Sequence, residues 1–181
     1  MTRHEEARRS LLLGLAGMGI THALGQEHAV AEAAVPQGYV LGPDQGEHLV
    51  LRGGNIFIKA GPTEGAKSLA MGTQQILPGV GIPIHRHFQM DEAFYVLDGG
   101  GTFILDDVPH AIEKGRSIFI PKNTWHGFEN PNRELLLLWI VTPPGLDAYF
   151  REVATRPGVP PTTRTKEQLN EIARRYGTEF R

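Results

Sequence analysis

The chain has 181 residues, 40% of them hydrophobic and 21% charged, with a formal net charge of −2, the make-up of a one-domain globular protein. It contains no cysteine, which excludes disulfides, thiolate metal sites and cysteine nucleophiles, so any metal must be held by nitrogen and oxygen. The near-balanced charge leaves no footprint for nucleic acid, and without a G-x-S-x-G, a P-loop or a G-x-G-x-x-G, serine hydrolysis and nucleotide chemistry lose their usual supports.

The first segment, 1–31, combines the Arg8-Arg9 pair, a short apolar run from Leu11 to Ile20, and small residues at Ala23/Gly25 and Ala29/Ala31. The run is too short to span a bilayer, so no stable membrane association is expected. Each small pair has the −3/−1 spacing that a signal peptidase accepts, and the segment resembles a twin-arginine export signal. A periplasmic or secreted protein is the expectation, cleaved after Gly25 or Ala31; a helix lying against the rest of the chain is the alternative.

From Tyr39 to Val141 short apolar or alternating runs are cut by Gly, Pro, Asn and Asp, the pattern of an all-β sandwich or barrel, here over 38–143. Strands are expected near 49–51, 55–59, 68–76, 84–87, 92–97, 102–105, 111–112, 117–120, 127–129 and 135–141, with turns at 98–101 and 106–109. Beyond Pro143-Pro144 the period changes. Leu146, Tyr149, Phe150 and Val153, then Leu169, Ile172, Ala173 and Tyr176, fall at helical spacing, which predicts two amphipathic helices in a 144–181 extension. Each would bury one stripe against the barrel or against a second copy in a homodimer.

Two clusters carry the chemistry. Gly79 is followed by His85-Arg86-His87, Glu92 and Gly99; Gly115 is followed by Pro121, Asn123, His126 and Asn130. Side chains two apart on a strand share a face, so His85 and His87 can both enter a barrel while Arg86 points out. A short turn through 89–91 brings Glu92 beside them, and His126 must arrive from a distant strand. Three imidazoles and one carboxylate suit a single divalent transition ion (Fe, Mn, Ni, Co, Cu or Zn) and leave one or two positions for water, substrate or dioxygen.

These clusters resemble the two signature motifs of the cupin superfamily, G-x5-H-x-H-x4-E-x6-G and G-x5-P-x-G-x2-H-x3-N, with Asn123 in place of the second motif's internal glycine. Asn is the next residue best able to adopt a left-handed backbone, so the turn should survive. The resemblance implies a double-stranded β-helix, or jelly roll, with His85, His87, Glu92 and His126 as metal ligands. By strand parity Phe94 and Val96, following Glu92, and Phe128, following His126, are expected to line an apolar substrate pocket.

The stretches 91–97 and 142–150 also look similar to small single-domain cupins of the quercetinase-like type. That resemblance implies a dioxygenase acting on a small flavonol- or enol-like molecule, with Glu92 both ligand and general base. An oxygen-independent isomerase or decarboxylase, and a non-catalytic secreted metal- or ligand-binding protein, are the alternatives. His48 and His110 are expected in solvent, His28 lies in the leader region, and Gln74 or Gln75 is expected to hydrogen-bond a metal ligand from behind.

Overall fold

The computed structural model describes residues 37–129 and 132–181; the expected export signal at 1–31 and the motif residue Asn130 lie outside them. Ten strands and two helices follow in order: β1 (Glu47–Leu51), β2 (Gly54–Ala60), β3 (Ala70–Ile76), β4 (Ile82–His87), β5 (Asp91–Leu105), β6 (Val108–Glu113), β7 (Ser117–Ile120), β8 (His126–Glu129), β9 (Leu135–Thr142), α1 (Leu146–Val153), α2 (Lys166–Arg175) and β10 (Thr178–Phe180). All the pairings are antiparallel. Among the described residues no helix is long and apolar enough to cross a membrane.

One long strand ties the barrel together. The first half of β5 pairs with β9 and β7, extending the sheet β1-β2-β3-β9, whereas its second half pairs with β6 and β8, extending a sheet that continues through β4 to β10. The expected turn at 98–101 is therefore a bend inside one strand. The register against β9 slips between Val96 and Asp98, a β-bulge, and bulges bend a strand without ending it. Gly99 makes this possible: its φ is +79° and an added Cβ would lie 1.8 Å from the Glu134 carbonyl oxygen, a closeness only glycine permits. The second expected turn is real. Asp106 and Asp107 have φ of 46° and 65°, the double left-handed pattern of a two-residue hairpin.

Period-2 burial supplies the core. Leu135, Leu137, Trp139 and Val141 on β9 are buried and alternate with half-exposed residues, and they meet Ile56, Ile58, Val96 and Phe103 from facing strands. Helix α1 closes one end by burying Leu146, Tyr149, Phe150 and Val153, the four residues that mark it in the sequence. Arg151 clamps it down, pairing with Glu47 at 2.6 Å, Glu64 at 2.9 Å and Asp147 at 2.6 Å. Helix α2 starts with a capping box in which Thr165 and Gln168 exchange bonds, satisfying otherwise free amides. The 144–181 extension is not purely helical, because the chain returns as β10 alongside β4. Three residues are too few to show a strand period.

Candidate metal centre

Strand parity places the first two ligands. On β4 His85 and His87 are buried while Arg86 points outward, where it pairs with Glu179 at 2.8 Å and stacks over the Trp125 ring at 4.6 Å. His126 opens β8 directly opposite His85. The loop that delivers it is fixed by two backbone anchors: the Asn123 amide donates to the His87 carbonyl at 2.6 Å, and the Lys122 amide donates to the Asp91 carboxylate at 2.9 Å. Asn123 has φ of 65°, so the left-handed turn survives the missing glycine. Glu92 comes from the other sheet, near the start of β5, facing Val141 and Ile120 across its neighbours.

The four side chains converge, and one potential ligand atom from each lies within 4.8 Å of all the others. Glu92 Oε2 is 3.1 Å from His87 Nε2 and 3.0 Å from His126 Nε2. Adjacent donors on an ion with bonds of about 2.1 Å are separated by about 3.0 Å at right angles, so the Glu92 spacings to His87 and His126 are those of neighbouring donors on one ion.

The outer nitrogens strengthen this fit. His85 Nδ1 donates to the Pro83 carbonyl at 2.8 Å, His126 Nδ1 to the Thr124 carbonyl at 2.9 Å, and His87 Nδ1 to Thr178 Oγ1 at 2.8 Å. With Nδ1 carrying the proton, all three Nε2 lone pairs are free to bind metal, the arrangement that orients metal-bound imidazoles. Burial, with the neighbouring His126 and His87 adding to it, holds His85 well below the usual imidazole value. Burial alone would raise the Glu92 carboxyl, but His87 and His126 outweigh it and hold the group below the ordinary carboxylate range. The centre thus rests as a carboxylate beside a neutral His85.

Beside the ligands lies a small cavity of about 60 Å³. His85, His87 and Glu92 form its floor, and Phe94, Phe150 and Phe180 are among its apolar walls. Of the three expected pocket residues only Phe94 lines it. Val96 and Phe128 are buried in the packed core instead, Phe128 set edge-on against Phe94 at 5.3 Å and beside Phe103 at 5.0 Å. Inward parity holds for both, as their burial shows, but neither lines the cavity.

Neither Gln74 nor Gln75 supports a ligand. Gln75 accepts from Asn55, Gln74 faces the cavity, and the supporting role falls to two backbone carbonyls and Thr178. Sequence reasoning missed Thr178, Phe180, Tyr149 and Arg52, all in the cavity wall. Thr178 and Phe180 face His87 and His85 across the β10–β4 pairing, which the helical assignment of the C-terminal segment hid. His48 stays away from the metal centre, bonding Asn55 at 2.8 Å and stacking on Phe57, and His110 is exposed.

Residues 72–141, the span that holds all four ligands, match the family model of the cupin domain. The described chain has the cupin fold. Its solved relatives in fold include the polyketide cyclase RemF from Streptomyces resistomycificus, with TM-score 0.55 and 18% identity over 74% of this chain and 92% of that one. An RmlC-like cupin from Shewanella frigidimarina NCIMB 400 matches with TM-score 0.55 and 18% identity, covering 64% of this chain and 99% of that one. Among curated proteins, Protein SchB of Streptomyces halstedii is 40% identical over 80 residues, 44% of this chain. The chain spans 58% of SchB's length.

Proposed function

We propose that this cupin is a metal-dependent dioxygenase of the quercetinase-like type, acting on a small flavonol- or enol-like substrate. The observation that carries the reading is the placement of a three-histidine, one-carboxylate cluster at the floor of an apolar, aromatic-walled cavity that reaches three of its four ligands. A divalent metal held by His85, His87, Glu92 and His126 would supply Lewis acidity toward an enol or flavonol oxygen and, if redox-active, a binding position for dioxygen.

The chain's own residues do the rest. Phe94, Phe150 and Phe180 present the flat, water-excluding surface that an aromatic or conjugated body needs. The Glu92 carboxyl is held below the ordinary carboxylate range, and its close polar neighbours among the described residues are the His87 and His126 Nε2 atoms, so its carboxylate can accept the hydroxyl proton of a substrate that enters from the cavity. Although weakly basic, this carboxylate comes within reach of that proton when coordination to a metal held beside it acidifies the enol hydroxyl. The Nδ1 bonds of the three imidazoles keep the Nε2 atoms aimed inward throughout.

The test is oxygen uptake by the protein loaded in turn with Fe, Mn, Ni, Co and Cu, with flavonols and β-diketone enols as substrates. The expected result is stoichiometric oxygen consumption in at least one form. No uptake in any form refutes the dioxygenase reading. Substrate loss under strict anaerobiosis replaces it with an isomerase or decarboxylase, for which the same floor would suffice.

A further inference from the structure

The cavity wall contains polar groups that neither hold the metal ligands nor bond to the protein. Tyr149 is 7% exposed and Gln74 9%, and neither side chain has a hydrogen-bond partner among the described residues. The occluded polar atoms without partners are Glu64 Oε2 and Trp139 Nε1; the Tyr149 hydroxyl and the Gln74 amide escape that condition because they open onto the cavity they line. A buried hydroxyl or amide without a protein partner needs one from a ligand or water.

Tyr149 is also where positive charge gathers. Arg52 and Arg164 both bias its ionisation, opposing the larger effect of burial, which keeps the phenol protonated and able to donate. Arg164 is committed to the carbonyls of Val153 and Glu152. Arg52 is not. It stands in the tight β1–β2 turn with φ of 52°, and one guanidinium nitrogen donates to the Gly81 carbonyl at 2.9 Å, which holds the group at the cavity mouth. It makes no ion pair among the described residues. A second hollow adjoins the first, sharing Arg52, Pro83, Tyr149 and Phe180 and adding Lys166. The mouth is therefore cationic and hydrogen-bond-donating, whereas the walls are apolar and the floor is the metal centre.

We infer that Arg52 and Tyr149 form an anion-binding subsite, and that the substrate is a small organic acid. Its conjugated body lies along Phe94, Phe150 and Phe180, one oxygen end is directed at the metal centre, and a carboxylate at the far end is held by the Arg52 guanidinium and the Tyr149 hydroxyl. The inference rests on the metal-dependent reading proposed above and narrows its substrate class. A guanidinium and a phenol donating together to a carboxylate make charge-assisted bonds, stronger than neutral ones.

The experiment uses catechol as a metal-seeking probe and compares it with three derivatives that carry a carboxylate on zero, one or two methylenes, a ruler for the distance from floor to mouth. Binding to the cobalt-loaded protein is measured by calorimetry, with the visible cobalt band as a reporter of coordination. At least one acid should bind roughly 10-fold or more tighter than catechol. That gain should vanish in Arg52→Gln and fall in Tyr149→Phe, neither of which changes catechol binding. If all four probes shift the cobalt band and bind equally, the subsite is refuted while the metal centre stands. A preference that persists in both variants removes the residue assignment. If no probe alters the cobalt band or binds, the metal-dependent reading fails together with the subsite.

Discussion

Thr178→Val tests how the last strand supports the metal centre. The two side chains have nearly the same shape, and Thr178 is 1% exposed, so packing and the β10–β4 backbone pairing are retained. What disappears is the acceptor for His87 Nδ1–H at 2.8 Å. A buried imidazole N–H left without a partner costs about 1–3 kcal/mol, and the ring escapes that cost by moving its proton to Nε2, where it blocks metal binding. Loss of such an outer partner typically weakens metal affinity about 10- to 100-fold, or about 1.4–2.8 kcal/mol. Competition against a metallochromic chelator, at a temperature where both proteins are folded, measures the effect. Thr178→Ser, which keeps the hydroxyl, should restore most of the affinity. An affinity within two-fold of the parent in Thr178→Val would show that the backbone alone orients His87.

Three further outcomes follow from the geometry. His126→Ala removes a ligand at the centre of the cluster, and elemental analysis of the purified variant should find little metal; full stoichiometry would refute the ligand set. Gly99→Ala forces a Cβ to within 1.8 Å of the Glu134 carbonyl at a φ of +79°, and should destabilise by about 2–4 kcal/mol in thermal or urea unfolding; an unchanged Tm would deny the close approach. The metal-free protein should be acid-labile. His85 is held well below 6.5, so as pH falls below 6.5 the unfolded chain takes up a proton that the folded one refuses, and stability drops. Glu92 is held below 4.5, so its stabilising contribution is present above that pH and is lost on further acidification. Calorimetric Tm values of chelator-treated protein between about pH 2 and 8 should therefore decline in two stages, and a Tm flat from pH 7 to 5 would contradict the burial of His85.

Part of the ligand cluster is readable in the sequence from local causes, and the resemblance to the cupin motifs supplied the rest. A strand's period of two turns H-x-H into one inward pair, and short turns govern where Glu92 and His126 enter. The same rule fails for the pocket. Parity says that Phe94, Val96 and Phe128 point inward, but not which of them lines the cavity, and that depends on the stagger between strands, which no single strand encodes. The bend at 98–101 shows the opposite weakness. Asp98-Gly99-Gly100-Gly101 has turn composition, yet pairing with β9 on one side and β6 on the other carries the strand through it.

By itself, then, the sequence determined the barrel class, the helix α1 stripe, the left-handed turn at Asn123 and the chemistry of the donor set. Tertiary structure decided which side chains surround that set. Thr178 meets His87 across 91 residues of chain, and Arg52 closes on Gly81 across 29. Contacts of that separation arise from strand pairing and closure, and residue type or spacing carries no trace of them.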